Sequence, residues 1–87
     1  SFTKSLAIEL AEHRITVNAI APGFCKTSYY PNFRKNAELL SEVTNKIPIG
    51  RWGADSEING LIDFLISEKA DYITGQILYI DGGWTAQ

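Results

Sequence analysis

Apolar side chains recur along this chain with two different periods. Phe2, Leu6 and Leu10 fall at i, i+4 and i+8, with Ala7 and Ala11 beside them, while Lys4, Glu9 and Glu12 take the wetter side. That spacing predicts a helix over residues 1–13, with His13-Arg14 at its end to suit the helix dipole. Over 15–21 the pattern changes to a short apolar run, Ile15, Val17, Ala19, Ile20 and Ala21, broken by Thr16 and Asn18. This suits a strand covered on both faces, as in a parallel sheet. Pro22-Gly23 then marks a sharp turn, and residues 22–34, with four aromatics, read as a loop. An aromatic-rich loop of that length suggests a functional segment. A second helix is expected over 35–47, with Leu39, Leu40, Val43 and Ile47 inward, ended by Pro48. Ile49 to Gly53 reads as a connector. Ile58, Leu61, Ile62, Leu65 and Ile66 give the strongest helical pattern, over 55–67, with Asp55 and Glu57 suited to its first turn. Residues 68–75 turn back through Gly75, Gln76 to Ile80 is a second strand, and Asp81-Gly82-Gly83 stops it.

The order α-β-α-α-β, with two strands far apart and joined through helices, predicts an α/β fold with a parallel crossover. A two-stranded sheet is marginal by itself, and the first strand would keep an unpaired apolar edge. The carboxyl end of a strand is where open α/β sheets place their ligands, so the Pro22-Gly23 turn, with the Thr27 hydroxyl four residues beyond Gly23, is the candidate binding segment.

Composition narrows the choices. Apolar residues make up 45% and charged residues 21%, and the net charge is -2, so nothing favours nucleic acid or an anionic membrane as partner. No apolar run has the length of a membrane span, and no signal peptide is expected. The single Cys25 excludes an internal disulfide and multi-cysteine metal patterns; with His13 as the only histidine, no metal site is expected. Cys25 reads as a buried thiol rather than a nucleophile, since no base lies near it in sequence. Asn18, an amide within a strand, reads as a structural hydrogen-bonding residue.

Four blocks carry a resemblance to a known family. Arg14-Ile15-Thr16-Val17-Asn18-Ala19-Ile20-Ala21-Pro22-Gly23, with Thr27 after it, resembles the Asn-Ala-Ile-x-Pro-Gly-x-x-x-Thr stretch of the short-chain dehydrogenases/reductases. Ser1 to Ala11 is similar to the later part of that family's Tyr-x-x-x-Lys helix. Pro48-Ile49-Gly50-Arg51-Trp52-Gly53 looks like the segment before its last long helix, and Thr74 to Gly83 like its last strand and terminal turn. The resemblance implies the last two strands of a Rossmann-like doubly wound sheet and an NAD or NADP cofactor. It implies cofactor contacts from Pro22, Gly23, Cys25 and Thr27, with the Cys25 backbone meeting the nicotinamide carboxamide. It implies a substrate lid drawing on Tyr29, Tyr30, Phe33 and Trp52; read from the residues alone, these aromatics serve equally well as plain packing.

Neither the family's Gly-rich phosphate turn nor a Tyr-x-x-x-Lys occurs here, since none of Tyr29, Tyr30, Tyr72 and Tyr79 has a lysine four residues on. By resemblance, residues 1–87 therefore form the carboxyl-terminal third of a single NAD(P)-binding domain, hold no catalytic residue and are inactive alone. The parent is expected to be a cytoplasmic oxidoreductase acting on a small alcohol or carbonyl compound, of sugar/polyol or 3-oxoacyl-reductase type. It is expected to form a homotetramer partly through Leu61, Leu65, Ile66, Tyr79 and Trp84. The alternative is a non-catalytic truncated relative serving as an assembly module.

Overall fold

The computed structural model describes residues 1–26 and 30–87, with Asn32 described at its backbone only. Helix α1 runs over Phe2–Leu10, where Ser1 Oγ accepts from the Lys4 N–H (3.4 Å), and continues as a 3-10 turn over Ala11–His13. Arg14, in the left-handed region at φ 59°, closes it by donating its N–H to the Ala11 carbonyl (3.0 Å). Strand β1 is Ala19–Pro22, α2 a single turn over Tyr30–Phe33, α3 Ala37–Lys46, α4 Asp55–Leu65 and β2 Ile77–Ile80. β1 and β2 pair in parallel, Ala19 opposite Ile77 and Pro22 opposite Ile80, as the crossover argument requires.

Three boundaries differ from the sequence expectation, each for a local reason. β1 starts at Ala19, not at Ile15, because side chains intercept the backbone groups that a longer ladder would use. The Val17 N–H goes to Thr74 Oγ1 (3.0 Å). The Asn18 amide donates to the Ile73 carbonyl (3.1 Å) and accepts from the Gln76 N–H (3.0 Å). Asn18 is thus the structural residue expected of it. Residues 22–34 are not wholly loop: Pro22 ends the strand and α2 forms inside them. α3 begins only at Ala37, since Asn36 Oδ1 caps the Leu39 N–H (3.1 Å). Of its predicted inward face, Leu40 and Val43 are half-buried and Ile47 is buried, but Leu39 is exposed.

The core is thin. Among the described residues only Ala7, Cys25, Ile47, Trp52 and Ala70 are buried, whereas Phe2, Ile8 and Ile66 are each about four-fifths exposed. The radius of gyration is 15.8 Å, where a compact domain of this length has about 12 Å. The accessible surface is 6426 Å², where about 5,100 Å² is usual for this mass. α4 shows why: Leu61 and Leu65 reach half burial while Ile62, Phe64 and Ile66 stay open to solvent. Tyr79 on β2 is also exposed. Among the described residues no helix is long and apolar enough to cross a membrane.

Asn18 replaces two ladder bonds at the start of the sheet, so Asn18→Ala leaves the Ile73 carbonyl and the Gln76 N–H without those partners. The expected cost is about 1–3 kcal/mol in the intact protein, read as a lower urea midpoint at unchanged slope.

Candidate functional site

The carboxyl ends of the two strands meet at Gly23 and Asp81. The Gly23 N–H donates to the Ile80 carbonyl (3.1 Å), which extends the ladder one step. A Cβ on Gly23 would lie 2.7 Å from the Asp81 Cβ and 2.9 Å from its Cα, so only glycine permits the approach. The Asp81 carboxylate then organises the turn beyond β2. It accepts from the Thr85 hydroxyl (2.7 Å), the Thr85 N–H (3.0 Å) and the Gly83 N–H (3.0 Å). Those bonds, the Thr85 hydroxyl first, hold its carboxyl below the usual range. Gly82 and Gly83, both at positive φ, carry the chain back so that the Ile49 N–H reaches the Gly82 carbonyl (3.0 Å).

Two residues after Gly23 the chain makes a second, isolated parallel bridge, Cys25 to Gly53. The Gly53 N–H donates to the Phe24 carbonyl (2.9 Å) and the Lys26 N–H to the Gly53 carbonyl (3.1 Å). In that pattern the N–H and C=O of Cys25 itself point to the opposite side of the strand. Cys25 as a whole residue, backbone included, is 3% exposed. Burial first, then the charges of Asp55 and Glu57, push its thiol pKa up, which disfavours the thiolate and any nucleophilic role.

The connector that supplies Gly53 is pinned at several points. The Arg51 guanidinium forks onto Glu57, Nη1 to Oε1 and Nη2 to Oε2, both at 2.8 Å, and Nη1 also reaches the Trp52 carbonyl at 3.2 Å. Glu57 Oε1 accepts from the Ala54 N–H (2.9 Å) at the start of α4. The Arg51 fork, then the Ala54 bond, lower the Glu57 pKa to about 2. The indole N–H of Trp52 donates to Thr44 Oγ1 (2.9 Å), and the Thr44 hydroxyl donates to the Leu40 carbonyl (2.7 Å).

Trp52 is the buried anchor of an aromatic cluster. Phe24, Tyr30 and Phe33 pack on it with ring centroids 5.2, 5.4 and 5.5 Å away, and Trp84 meets Phe24 at 4.8 Å. The Lys26 ammonium lies 5.3 Å from the Tyr30 ring centroid. Trp84, which the sequence reading places at a subunit contact, is half-buried against Phe24.

The structure thus brings Pro22, Gly23, Cys25, Tyr30, Phe33 and Trp52 to one end of the molecule. Pro22 and Gly23 border a groove of about 260 Å³ with Phe24 and Trp84. Cys25 and Gly53 border a cavity of about 240 Å³ on the Asp81 side. Thr27 and Tyr29 lie outside the described residues. The sequence did not single out Phe24, the hinge of the aromatic cluster, nor the Arg51–Glu57 fork. The signal for Phe24 was its place directly after Pro-Gly; the fork spans six residues outside any helical period and left none. Among the described residues no group of three or more His, Cys, Asp or Glu side chains could hold a metal.

A family model described as enoyl-(acyl carrier protein) reductase matches residues 1–85. The chain belongs to this family of short-chain dehydrogenases/reductases. It is 42% identical over 85 residues to 2-dehydro-3-deoxy-D-gluconate 5-dehydrogenase of Escherichia coli, covering 98% of this chain and 34% of the relative. It is 49% identical over 82 residues to the 3-oxoacyl-[acyl-carrier-protein] reductase FabG of Buchnera aphidicola, covering 94% and 33%. A solved structure from Agrobacterium tumefaciens with bound NADP superposes with a TM-score of 0.91 at 45% identity. The match covers 99% of this chain and 35% of that one. The chain therefore spans about a third of the length of these relatives. Related structures were solved with NADP or NADH.

The Arg51–Glu57 fork makes stability depend on pH in a definite direction. The Glu57 pKa is about 2 in the folded protein against an ordinary 4.5. A depressed carboxyl stabilises the fold above its unfolded pKa, and that contribution fades as pH falls towards the folded value. The gap in urea midpoint between wild type and Glu57→Gln is expected to be constant above about pH 5 and to close towards pH 2. A gap unchanged by pH would show that the carboxylate charge is not what Arg51 holds.

Proposed function

We propose that residues 1–87 are the carboxyl-terminal third of an NAD(P)-dependent oxidoreductase that moves hydride between a nicotinamide and a small alcohol or carbonyl compound. The observation that carries this reading is the outward edge at Cys25. Its N–H and C=O lie on the side of the strand away from the Gly53 bridge, and neither bonds to another described residue. One donor and one acceptor side by side match the acceptor and donor of a carboxamide. The edge sits just past the carboxyl end of β1, where α/β sheets place such ligands.

When bound, the nicotinamide supplies the hydride acceptor or donor. This chain's own residues bind and enclose. Pro22 and Gly23 set the direction in which the chain leaves β1, and the Cys25 backbone holds the carboxamide. Thr27 adds a hydroxyl for the same amide or for a cofactor phosphate. Tyr29, Tyr30 and Phe33 form a lid that closes over the substrate against Trp52, whose buried ring and indole bond make it the fixed side. Proton transfer falls to the Tyr-x-x-x-Lys pair of a preceding segment, the tyrosine as acid/base and the lysine lowering its pKa. The absence of that pair and of a Gly-rich turn from these residues supports the carboxyl-terminal placement.

A sugar-acid or polyol compound is our reading of the substrate class; relatives named 2-dehydro-3-deoxy-D-gluconate 5-dehydrogenase and 3-oxoacyl-[acyl-carrier-protein] reductase both match over almost the whole chain. The enzyme is a cytoplasmic homotetramer, which would cover the open apolar surface at Ile62, Phe64, Ile66 and Tyr79.

The 87-residue polypeptide should turn over no NAD(P)H with polyols, hexonates or 3-oxoacyl esters above background. The same chain extended upstream through a Tyr-x-x-x-Lys segment should be active, followed as absorbance of the reduced cofactor. Turnover by the short chain would overturn this reading; an extended chain that lacks such a segment and binds no dinucleotide would favour a non-catalytic module instead.

A further inference from the structure

We propose that Gly53, Arg51 and Glu57 are positioning residues for the nicotinamide half of the cofactor. They act by fixing the edge at which Cys25 presents its backbone N–H and C=O. The proposal rests on the cofactor reading above and adds residues in the connector that no contact with the cofactor would reveal.

Cys25 lies beyond the paired part of β1, so the β1–β2 ladder does not hold it. The two bonds of the Gly53 bridge grip its flanks, at the Phe24 carbonyl and the Lys26 N–H. The position of the outward edge is therefore only as well defined as the position of Gly53. Gly53 in turn sits in a connector with no regular structure of its own, and the residues on either side of it are tied down from two directions. Trp52 is bound to α3 through its indole N–H and Thr44. Arg51 is bound to α4 through both oxygens of Glu57, and the same carboxylate takes the Ala54 N–H just after Gly53. Arg51 also bonds the Trp52 carbonyl immediately before Gly53. Together these contacts locate Gly53 between two helices.

The identity of residue 53 points the same way. Gly53 is not at positive φ, so its backbone conformation does not demand glycine. What favours glycine is space: a Cβ there would lie 3.1 Å from Cys25 Sγ, so the sulfur would have to give by a few tenths of an ångström. A side chain at 53 would push Cys25 and with it the edge. A displacement of a fraction of an ångström in a binding edge weakens the bonds it makes without unfolding what supports it.

The test uses the intact enzyme and two probes: the dinucleotide it prefers, and the matching ADP-ribose, with the 2′-phosphate if that dinucleotide is NADP. The second probe lacks the nicotinamide. Wild type should bind the dinucleotide more tightly in calorimetric titration. Gly53→Ala should weaken the dinucleotide about 3- to 10-fold, the loss of one or two neutral hydrogen bonds, while ADP-ribose affinity stays unchanged. Adding Cys25→Ala to Gly53→Ala removes the sulfur, keeps the backbone edge and should restore the preference. Glu57→Gln and Arg51→Lys should reduce the preference in the same sense, and they carry the test if Gly53→Ala does not fold. A wild-type preference that survives Gly53→Ala, or variants that weaken both probes equally, would overturn the positioning role and leave the cofactor reading intact. Equal affinity of wild type for the two probes would overturn both.

Discussion

The pairing of Ala19–Pro22 with Ile77–Ile80 is the constraint from which the useful end of this molecule follows. It closes a loop containing three helices, and closing a loop of that length costs only slowly growing entropy once the strands have enough to offer each other. What they offer beyond their ladder is the contact between Gly23 and Asp81, possible because Gly23 has no Cβ. That contact sets where β1 ends and where the terminal turn begins. The Asp81 carboxylate then gathers Gly83 and Thr85, and Gly82 meets Ile49 from the connector. A larger residue at 23 would force the strand ends apart.

A second tier of interactions makes the connector rigid although few side chains are buried. Trp52 contributes most of the large apolar volume that is buried, and it spends its one polar atom on Thr44. The Arg51–Glu57 fork is exposed, so its worth to stability is modest and screened by salt. Its geometric effect is larger than its energy, because a bidentate pair fixes direction as well as distance. The chain thus spends polar contacts on one region, the approach to Cys25, and leaves its helices half covered. Ile8, Ile66 and Tyr79 stand open to solvent.

The two helices with a strong local period were legible from sequence. α1 and α4 formed where their apolar stripes recur every three to four residues, since that period is a property of neighbours along the chain. Boundaries that depend on distant partners were not legible. The start of β1 was misplaced because the Asn18 amide and the Thr74 hydroxyl take bonds that the apolar run seemed to reserve for a ladder. The single turn α2 was missed in a segment rich in turn formers, and the aromatics there gave no period from which to read their partners.

What the sequence determined by itself was the class of fold and the family. Each rests on residue types at short, fixed spacings: the apolar run ending in Pro22-Gly23, the helix stop at Pro48, the Asp81-Gly82-Gly83 turn. What only the tertiary structure decided was what those residues are for. Gly23 is glycine because of Asp81, and Gly53 leaves room for Cys25; Trp52 is an anchor because its indole N–H reaches the Thr44 hydroxyl. Close approaches between backbones and hydrogen bonds across dozens of residues leave no periodic mark in the chain, because they are made by the meeting of elements rather than within any one of them.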